Sequence, residues 1–439
     1  MNATPSGYSR LMAVALFVFL LLCDLVLLHG RLRVIRHVLV AGLGLAAVPW
    51  FLRHRRWAVR TVLLPPMGFF AAFLAAALAL SPFALAPADA ARHTLAFAGV
   101  MLFAVAAAQT VGLALTLALV RLAFAAKLIG SLLIGLLAGH FAGSALVGSA
   151  SSSLLGRHLF GGLFGNPNPL CDTATAYLLL AVCHVIERGR AWPQGSRGHL
   201  QMAWYACTIP ISAYLMWQSL SRSAWVGLAI VVPVLGILAI WRRTRATLSR
   251  NRRALVAGGL GLAGLIAISA LLIWININRG VATPTQTLAD QVRQSITSGS
   301  ILDTSERPLY WNFALAKIRE RPWTGYGMSA TPALYTQLLG PVKEHAHNLE
   351  LEAALYAGIP AALMIVLFVV SSLRAAAGSF SAGRPHALSV AAILLLLYLL
   401  AQVEPVVFGS PYPSLLIVLT LAAYLQATNA PAVATEASP

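Results

Sequence analysis

Residues that could carry chemistry are concentrated in one polar run, residues 344–350 (EHAHNLE), at the end of the longest polar stretch. An apolar segment follows, so we expect the run to lie where a loop re-enters a membrane. A neutral imidazole can accept a proton from an attacking hydroxyl, and its ordinary pKa of about 6.5 suits this role. His347 is therefore the candidate general base, and Asn348 is expected to cap the following helix and fix its position.

Two other interpretations of the histidine run stay open. A histidine at a membrane edge commonly has an interfacial or helix-capping role. A metal site at His345 and His347 would need an extended backbone that brings both rings to one face, and the sequence offers no evident third ligand.

Three arginines are candidates for binding an anion on the same predicted side of the membrane. Arg222 lies in the short turn that begins with Ser221, Arg307 follows Glu306 in the long loop, and Arg157 precedes a Gly/Asn/Pro run. A guanidinium binds two phosphate oxygens at once, so these residues predict a phosphate-linked substrate. The alternative roles are an interfacial anchor for Arg222, a salt bridge for Arg307 and a solvated charge for Arg157.

The composition is typical of a membrane protein. Hydrophobic residues make up 59% of the 439 residues, charged residues only 10%, and the mean hydropathy is +0.78. Apolar stretches of about twenty residues predict helices that cross a bilayer. The net charge of +18 is divided among short loops, which favours a topological role over nucleic-acid binding. Three of the four cysteines lie in apolar segments, so no disulfide framework is expected.

We predict an all-α integral membrane protein with about twelve transmembrane helices and both termini in the cytoplasm. Most arginine-rich loops then fall on one face, which the positive-inside rule assigns to the cytoplasm. Arg121 and Lys127 are assigned to a turn on that face, whereas the basic cluster at 31–36 disagrees with the rule. The predicted spans are 11–29, 38–52, 61–80, 94–118, 128–147, 174–187, 202–220, 224–241, 254–276, 352–373, 387–403 and 414–427.

This topology divides the chain into three regions. Residues 1–276 hold helices one to nine and an outward loop at 148–173, whose prolines and asparagines predict turns rather than helix. Residues 277–351 form a long periplasmic cap, and residues 352–439 hold the last three helices and a cytoplasmic tail. A loop as long as the cap is unusual without structure of its own.

The cap is predicted to be partly helical. Short amphipathic helices are expected at 286–297 and 308–320, with Pro308 at the start of the second one, and a turn at 321–327.

The residues that are missing also narrow the function. There is no P-loop and no Asp-x-Asp pair, and the five aspartates are far apart in sequence. Nucleotide hydrolysis and metal-dependent sugar transfer are therefore unsupported, and we expect no cofactor and no catalytic metal. Few acidic residues fall within the predicted helices, which argues against a proton-coupled pump.

An ordered set of motifs within residues 145–375 resembles the O-antigen ligase/polymerase superfamily of bacterial inner-membrane proteins. The matching pieces are Gly165-Asn166-Pro167-Asn168, Ser221-Arg222-Ser223-Ala224, Glu306-Arg307 with Trp311, Pro322-x-x-Gly325-x-Gly327, His345-Ala346-His347-Asn348, and Leu351-Glu352 with Gly358-Ile359-Pro360. The resemblance implies a metal-independent glycosyltransferase that uses undecaprenyl-pyrophosphate-linked glycans at the periplasmic face of a Gram-negative inner membrane.

Within this superfamily, the cap length and helix number are more similar to an O-antigen ligase, which joins polysaccharide to a sugar hydroxyl of lipid A–core. A polymerase of repeat units and a protein O-oligosaccharyltransferase are the alternatives. His347 is then the base of an inverting transfer. The donor pyrophosphate is assigned to Arg222, Arg307 and Arg157, with possible support from His345, Asn348, Asn166, Asn168 and Ser221.

Two rival functions come from other classes. A transporter or flippase of a lipid-linked anionic glycan could use the same arginines, but its charges would be expected near the middle of the bilayer. A non-catalytic membrane scaffold would make the placement of arginine and histidine a coincidence.

Overall fold

The structure is a computed structural model that describes residues 7–23, 33–137, 149–150, 159–189, 195–219, 221–244, 307–339, 345–404, 408 and 412–429. The predicted span at 254–276 and the predicted cap helix at 286–297 lie outside these residues, as does Arg157. For Arg222 and Arg307 only the backbone is described.

The described residues form an almost entirely helical bundle. Two short 3-10 helices, Ser81–Phe83 and Gly162–Phe164, and one antiparallel pair of two-residue strands, β1 Ser149–Ala150 and β2 Leu159–Phe160, complete it. The α-helices in chain order are α1 Gly7–Leu22, α2 Arg33–Arg53, α3 Arg55–Leu63, α4 Met67–Leu80, α5 Pro87–Thr110, α6 Leu113–Leu137, α7 Pro167–Arg188, α8 Ser196–Ser219, α9 Arg222–Thr244, α10 Arg307–Glu320, α11 Ala330–Leu339, α12 Leu349–Ser381, α13 Ala387–Ala401 and α14 Tyr412–Asn429.

Length and composition identify helices that suit a membrane. Within the described residues, α5, α6, α7 and α12 are long and apolar enough to cross one. Shorter apolar stretches lie in α1, α2, α4, α9, α13 and α14. This pattern is that of a multi-pass membrane protein, while the number of twelve spans and the periplasmic loop stay predictions.

The region between residues 94 and 147 differs from its prediction. The sequence predicts spans at 94–118 and 128–147, with Arg121 and Lys127 in the turn between them. In the structure the break falls earlier, after α5, because Gly112 adopts a left-handed backbone with φ 76°. Both basic residues lie within α6, so the assignment to a turn is wrong.

Aromatic rings help to accommodate a cation inside α6. Lys127 is fully buried, and its Nζ lies 5.4 Å from the ring centre of Phe124 and 5.6 Å from that of Phe164. A ring face attracts a cation electrostatically, and this attraction strengthens where water is excluded. A charged residue in an apolar run therefore did not mark a turn.

Two further predicted helix boundaries differ from the structure, and prolines explain both differences. The single predicted span 61–80 is divided into α3 and α4 at Pro65 and Pro66, because a proline has no N–H for the helical ladder. The predicted loop 148–173 ends earlier than expected, since α7 begins at Pro167. A proline is favoured in the first turn of a helix, where its missing N–H has no helical partner, and Asn166 is the N-cap.

Other local predictions are confirmed. The predicted helix 308–320 corresponds to α10, Arg307–Glu320, and the predicted turn at 321–327 follows it. The long helix α12 packs on α4, α7 packs on both α8 and α13, and α5 packs on α2 and α14. The helix ends that build the site are thus held by extensive apolar contacts.

The turn at 321–327 docks on a kink in α12. The backbone N–H groups of Tyr326 and Gly327 donate to the carbonyls of Leu355 (2.7 Å) and Tyr356 (2.9 Å), and that of Ile359 donates to Pro322 (2.7 Å). Two motifs that are distant in sequence are therefore one structural unit.

Glycine is required on both sides of this contact. Gly325 and Gly358 have φ values of 61° and 81°, which are strained for residues with a side chain. A Cβ on Gly358 would lie 2.5 Å from the backbone of Trp323. The contact fixes the first part of α12, which follows the histidine run directly.

Candidate functional site

A small cleft lies beside the histidine run, between the residues that lead into α12 and the residues at and after the end of α13. The starts of α7 and α9 reach it through side chains that bind Glu404, one of the lining residues. The lining residues are His347, Asn348, Leu349, Glu352, Ala401, Glu404 and Phe408. Helix ends are suited to hold polar groups because their backbone N–H and C=O groups lack helical partners.

His347 is held in a defined orientation. Its backbone is left-handed, with φ 52°, and its ring stacks on Tyr310 with ring centres 5.9 Å apart and planes 25° apart. Its Nδ1 lies 3.5 Å from Oε2 of Glu404, and 26% of the side chain is exposed. This distance is longer than a well-formed hydrogen bond.

The support behind Tyr310 comes from α11. The hydroxyl of Tyr335, which is fully buried, donates to the carbonyl oxygen of Tyr310 at 2.8 Å. Burial, followed by the charge of Glu352, raises the pKa of Tyr335. The phenol therefore keeps its proton, and the stacking partner of His347 stays fixed.

Asn348 caps α12 as the sequence predicts. Its side-chain oxygen accepts a hydrogen bond from the backbone N–H of Leu351 at 3.0 Å. Its side-chain amide also donates to Gln402, at 3.2 Å to Oε1 and 3.4 Å to the backbone oxygen. One residue thus sets both the start of α12 and the register of α12 against the end of α13.

Glu404 is the centre of the cleft, and sequence reasoning missed it. Its side chain is only 5% exposed. Oε1 accepts hydrogen bonds from Asn168 Nδ2 at 3.1 Å and from Ser223 Oγ at 3.3 Å, while Oε2 faces His347. The sequence does contain a signal for Glu404. A lone carboxylate directly after an apolar helix costs desolvation free energy unless it has hydrogen-bonding or charged partners.

The supporting residues from α7 and α9 act through the same carboxylate. Asn166 caps α7, because its side-chain oxygen accepts from the backbone N–H of Asn168 at 2.9 Å. The hydroxyls of Ser221 and Ser223 are 2.8 Å apart. These contacts orient the two groups that bind Glu404, so three of the five predicted supporting residues lie around this carboxylate: Asn166, Asn168 and Ser221.

His345 belongs to a different carboxylate. Its Nδ1 lies 3.2 Å from Oε1 of Glu352, which also accepts from Thr331 Oγ1 at 2.7 Å and from the Tyr356 hydroxyl at 2.6 Å. The other oxygen, Oε2, accepts from the backbone N–H of Ala346 at 2.8 Å. This buried network anchors the segment before His347. Because His345 and His347 each face their own carboxylate, the geometry does not favour a metal held by the pair.

Of the three predicted anion-binding arginines, Arg222 and Arg307 are described by their backbones alone, and Arg157 lies outside the described residues. Arg222 is the first residue of α9, and in the sequence it lies between Ser221 and Ser223, the two serines of the Glu404 network. Arg307 is the first residue of α10, the helix that carries Tyr310. The structure therefore brings the start of α9 directly to the cleft and links α10 to it through the stacked ring.

A group of side chains that could hold a metal lies elsewhere. Within the described ranges, His184, Glu187 and His386 form such a group, and it lies near the opposite ends of α7 and α13.

The comparison with protein families gives a match. Residues 207–366 match the family model described as O-antigen ligase, which confirms the resemblance seen in the sequence motifs. The match covers about a third of the chain, from α8 into α12, and includes Ser221, Arg222, Arg307 and His347, while Asn168 and Glu404 lie outside it. A comparison with functionally curated proteins gives no match.

Proposed function

We propose that this chain, whose residues 207–366 match the O-antigen ligase family, transfers a polysaccharide from undecaprenyl pyrophosphate to a sugar hydroxyl of lipid A–core. The reaction is inverting and needs no catalytic metal or cofactor. The site faces the periplasm of a Gram-negative inner membrane, and both termini are cytoplasmic.

One observation carries this proposal: His347 is paired with the buried carboxylate of Glu404 in a cleft at converging helix ends. A carboxylate beside Nδ1 favours the tautomer whose proton is on Nδ1. The other nitrogen, Nε2, is then the acceptor that can take a proton. Glu404 would also stabilise the imidazolium that forms, as the carboxylate of a Ser-His-Asp triad does.

The transfer step needs no reactant other than the lipid-linked donor and the acceptor hydroxyl. The acceptor hydroxyl gives its proton to His347 Nε2 while its oxygen forms a bond to C1 of the donor sugar. The bond between C1 and the phosphate oxygen breaks, and the electron pair leaves with the lipid pyrophosphate. Attack from the face opposite the leaving group inverts the anomeric centre.

Negative charge builds on the pyrophosphate as that bond breaks, and we assign its stabilisation to arginine. Arg222 begins α9 beside the serines of the cleft, and Arg307 begins the helix that carries the ring stacked on His347. Arg157 is assigned to the same role from sequence alone. Each charge-assisted hydrogen bond contributes roughly 1.5–3 kcal/mol.

The direct test is transfer by the purified full-length protein. A lipid-pyrophosphate glycan is incubated in chelator-containing buffer with lipid A–core, with a second lipid-linked glycan, or with an acceptor protein. We expect product with lipid A–core. Product only with the second glycan or the protein would assign the chain to the polymerase or protein-glycosylating alternatives.

The control variant is His199→Ala, which removes an exposed histidine at the start of α8. It should transfer at the native rate. A loss of transfer in chelator that magnesium or manganese restores would contradict metal independence, and no product with any of the three acceptors would contradict the proposal.

A further inference from the structure

A second cluster of ligand-type side chains lies at the end of the bundle away from His347. His184 and Glu187 are near the end of α7, and His386 immediately precedes α13; their ligand atoms lie within 4.8 Å of one another. We propose that this cluster binds a divalent transition-metal ion, with Zn²⁺ fitting its donors best, and that the ion joins α7 to α13.

The fold places the three residues for identifiable reasons. His184 and Glu187 are three positions apart on α7, a spacing that brings side chains to one helix face. His386 is the N-cap residue of α13 and has a left-handed backbone, with φ 61°. Its imidazole makes no capping hydrogen bond, and its Nδ1 lies 3.6 Å from Oε2 of Glu187.

The carboxylate is already oriented by α13. Glu187 Oε1 accepts from the backbone N–H of Ser389 at 3.0 Å, and Oε2 accepts from the Ser389 hydroxyl at 2.7 Å. Each carboxylate oxygen has a further lone pair. Hydrogen bonds of this kind fix the direction of a metal ligand and are typical of the residues that surround a bound ion.

Two imidazoles and one carboxylate are donors that zinc accepts, with a water in the fourth position. Tetrahedral ligands with zinc bonds of about 2.0–2.1 Å lie about 3.4 Å apart, so small side-chain adjustments close the cluster around an ion. His184 is buried, whereas the side chains of His386 and Glu187 remain 22% and 15% exposed. The exposed side gives the ion a route in from solvent.

The competing arrangement needs no metal. Burial of His184, followed by the charges of Arg121 and Arg188, disfavours positive charge there. Glu187 could then contact His386 directly, without an ion between them. The two arrangements differ in a measurable way, because only the first one binds metal in a fixed ratio.

The experiment uses tag-free, full-length protein in detergent that is stripped with chelator, desalted and titrated with Zn²⁺. We expect one zinc ion per chain and a higher melting temperature with zinc. In His386→Ala the affinity should fall at least about tenfold, and zinc should no longer raise the melting temperature. His199→Ala and His345→Ala should bind zinc as the native protein does. His345 is a suitable control because it contacts Glu352 and not the proposed zinc ligands.

Co²⁺ provides a readout that does not depend on a variant folding. The native protein with one equivalent of Co²⁺ should show the visible absorption of a four-coordinate ion. Absence of these bands, less than about a tenth of a zinc ion per chain, or native zinc binding by His386→Ala would each overturn the proposal. Glycan transfer at low temperature should continue after the zinc has been removed with chelator. The result for zinc binding is therefore independent of the result for the proposed transfer reaction.

Discussion

The side chain of Glu404 links three segments of the chain in one network. It accepts hydrogen bonds from Asn168 and Ser223 and leaves one oxygen facing His347. A buried carboxylate with several partners holds its position well, because breaking any one contact leaves a desolvated charge less compensated. In the proposed reaction, Glu404 is therefore a positioning residue for the imidazole.

The variant Glu404→Gln tests this role. Gln has nearly the same shape but no negative charge, so His347 should lose its preferred tautomer and the transfer rate should fall at least about tenfold. The measurement separates kcat from KM for the folded variant, and we expect kcat to fall while KM for the lipid-linked donor changes little. An unchanged kcat would leave Glu404 with a purely structural role.

The role of Arg222 is tested by a substitution that keeps its charge. Arg222→Lys should lose roughly 10- to 100-fold in transfer, because an ammonium group cannot bind two phosphate oxygens in the guanidinium geometry. Arg222→Ala should be at least as impaired. The matched control is Arg92→Lys, at an arginine whose side chain is 65% exposed and paired with Asp89 at 2.9 Å. Nearly native transfer by Arg222→Lys would reduce this residue to a point charge or an anchor.

At the scale of elements, the site is an assembly of helix ends held by caps and by the docked turn at 321–327. Asn166 and Asn348 cap α7 and α12, and Gly325 and Gly358 allow the turn to reach the kink in α12. The kink lies ten residues after Asn348 along the chain. Loosening it should therefore disturb the start of α12 and the histidine run together.

The variant Gly358→Ala tests the docked turn. A left-handed backbone costs about 1–3 kcal/mol with a side chain present, and the new methyl group would clash with Trp323. The melting temperature of the purified protein should fall clearly. Gly378→Ala in the same helix is the control, because its Cβ meets nothing within 4 Å, and it should be neutral or stabilising. Equal melting temperatures for both variants would contradict a tight fit at the kink.

Local features of these elements could be predicted from sequence, whereas long-range partners could not. The cap at Asn348 and the extent of α10 follow from residue preferences over a few positions. Glu404 meets Asn168 across more than two hundred residues, and no local pattern reports such a contact. The turn predicted at Lys127 is wrong because the fold brings the ring of Phe164 against a lysine that lies within a helix, and no local pattern reports this contact.

The two ends of the helical bundle carry different groups of polar side chains. One end carries the cleft around His347, and the other carries the cluster of His184, Glu187 and His386. Since α7 and α13 run between them, the topology of the chain decides which end meets the periplasm. The proposed reaction requires the cleft to face that side.

Cysteine labelling tests this topology. The background variant is Cys207→Ser, which removes the exposed native cysteine. In it, an impermeant maleimide should label Trp323→Cys once the outer membrane is permeabilised, while the inner membrane is still intact. Trp323 is 73% exposed, so the reporter is accessible. Ser249→Cys, in the predicted cytoplasmic loop at 242–253, should react only after the inner membrane is opened. The reverse pattern would place the cleft in the cytoplasm and contradict the proposed function.

The most direct test of His347 as the general base is the initial transfer rate of His347→Ala per folded, donor-binding molecule. General-base catalysis contributes about 10²–10⁴-fold, so the rate should fall by that factor while binding of the lipid-linked donor is retained. His345→Ala should be milder, because His345 contacts Glu352 rather than the cleft carboxylate. A rate for His347→Ala within a few-fold of the native protein would contradict the account.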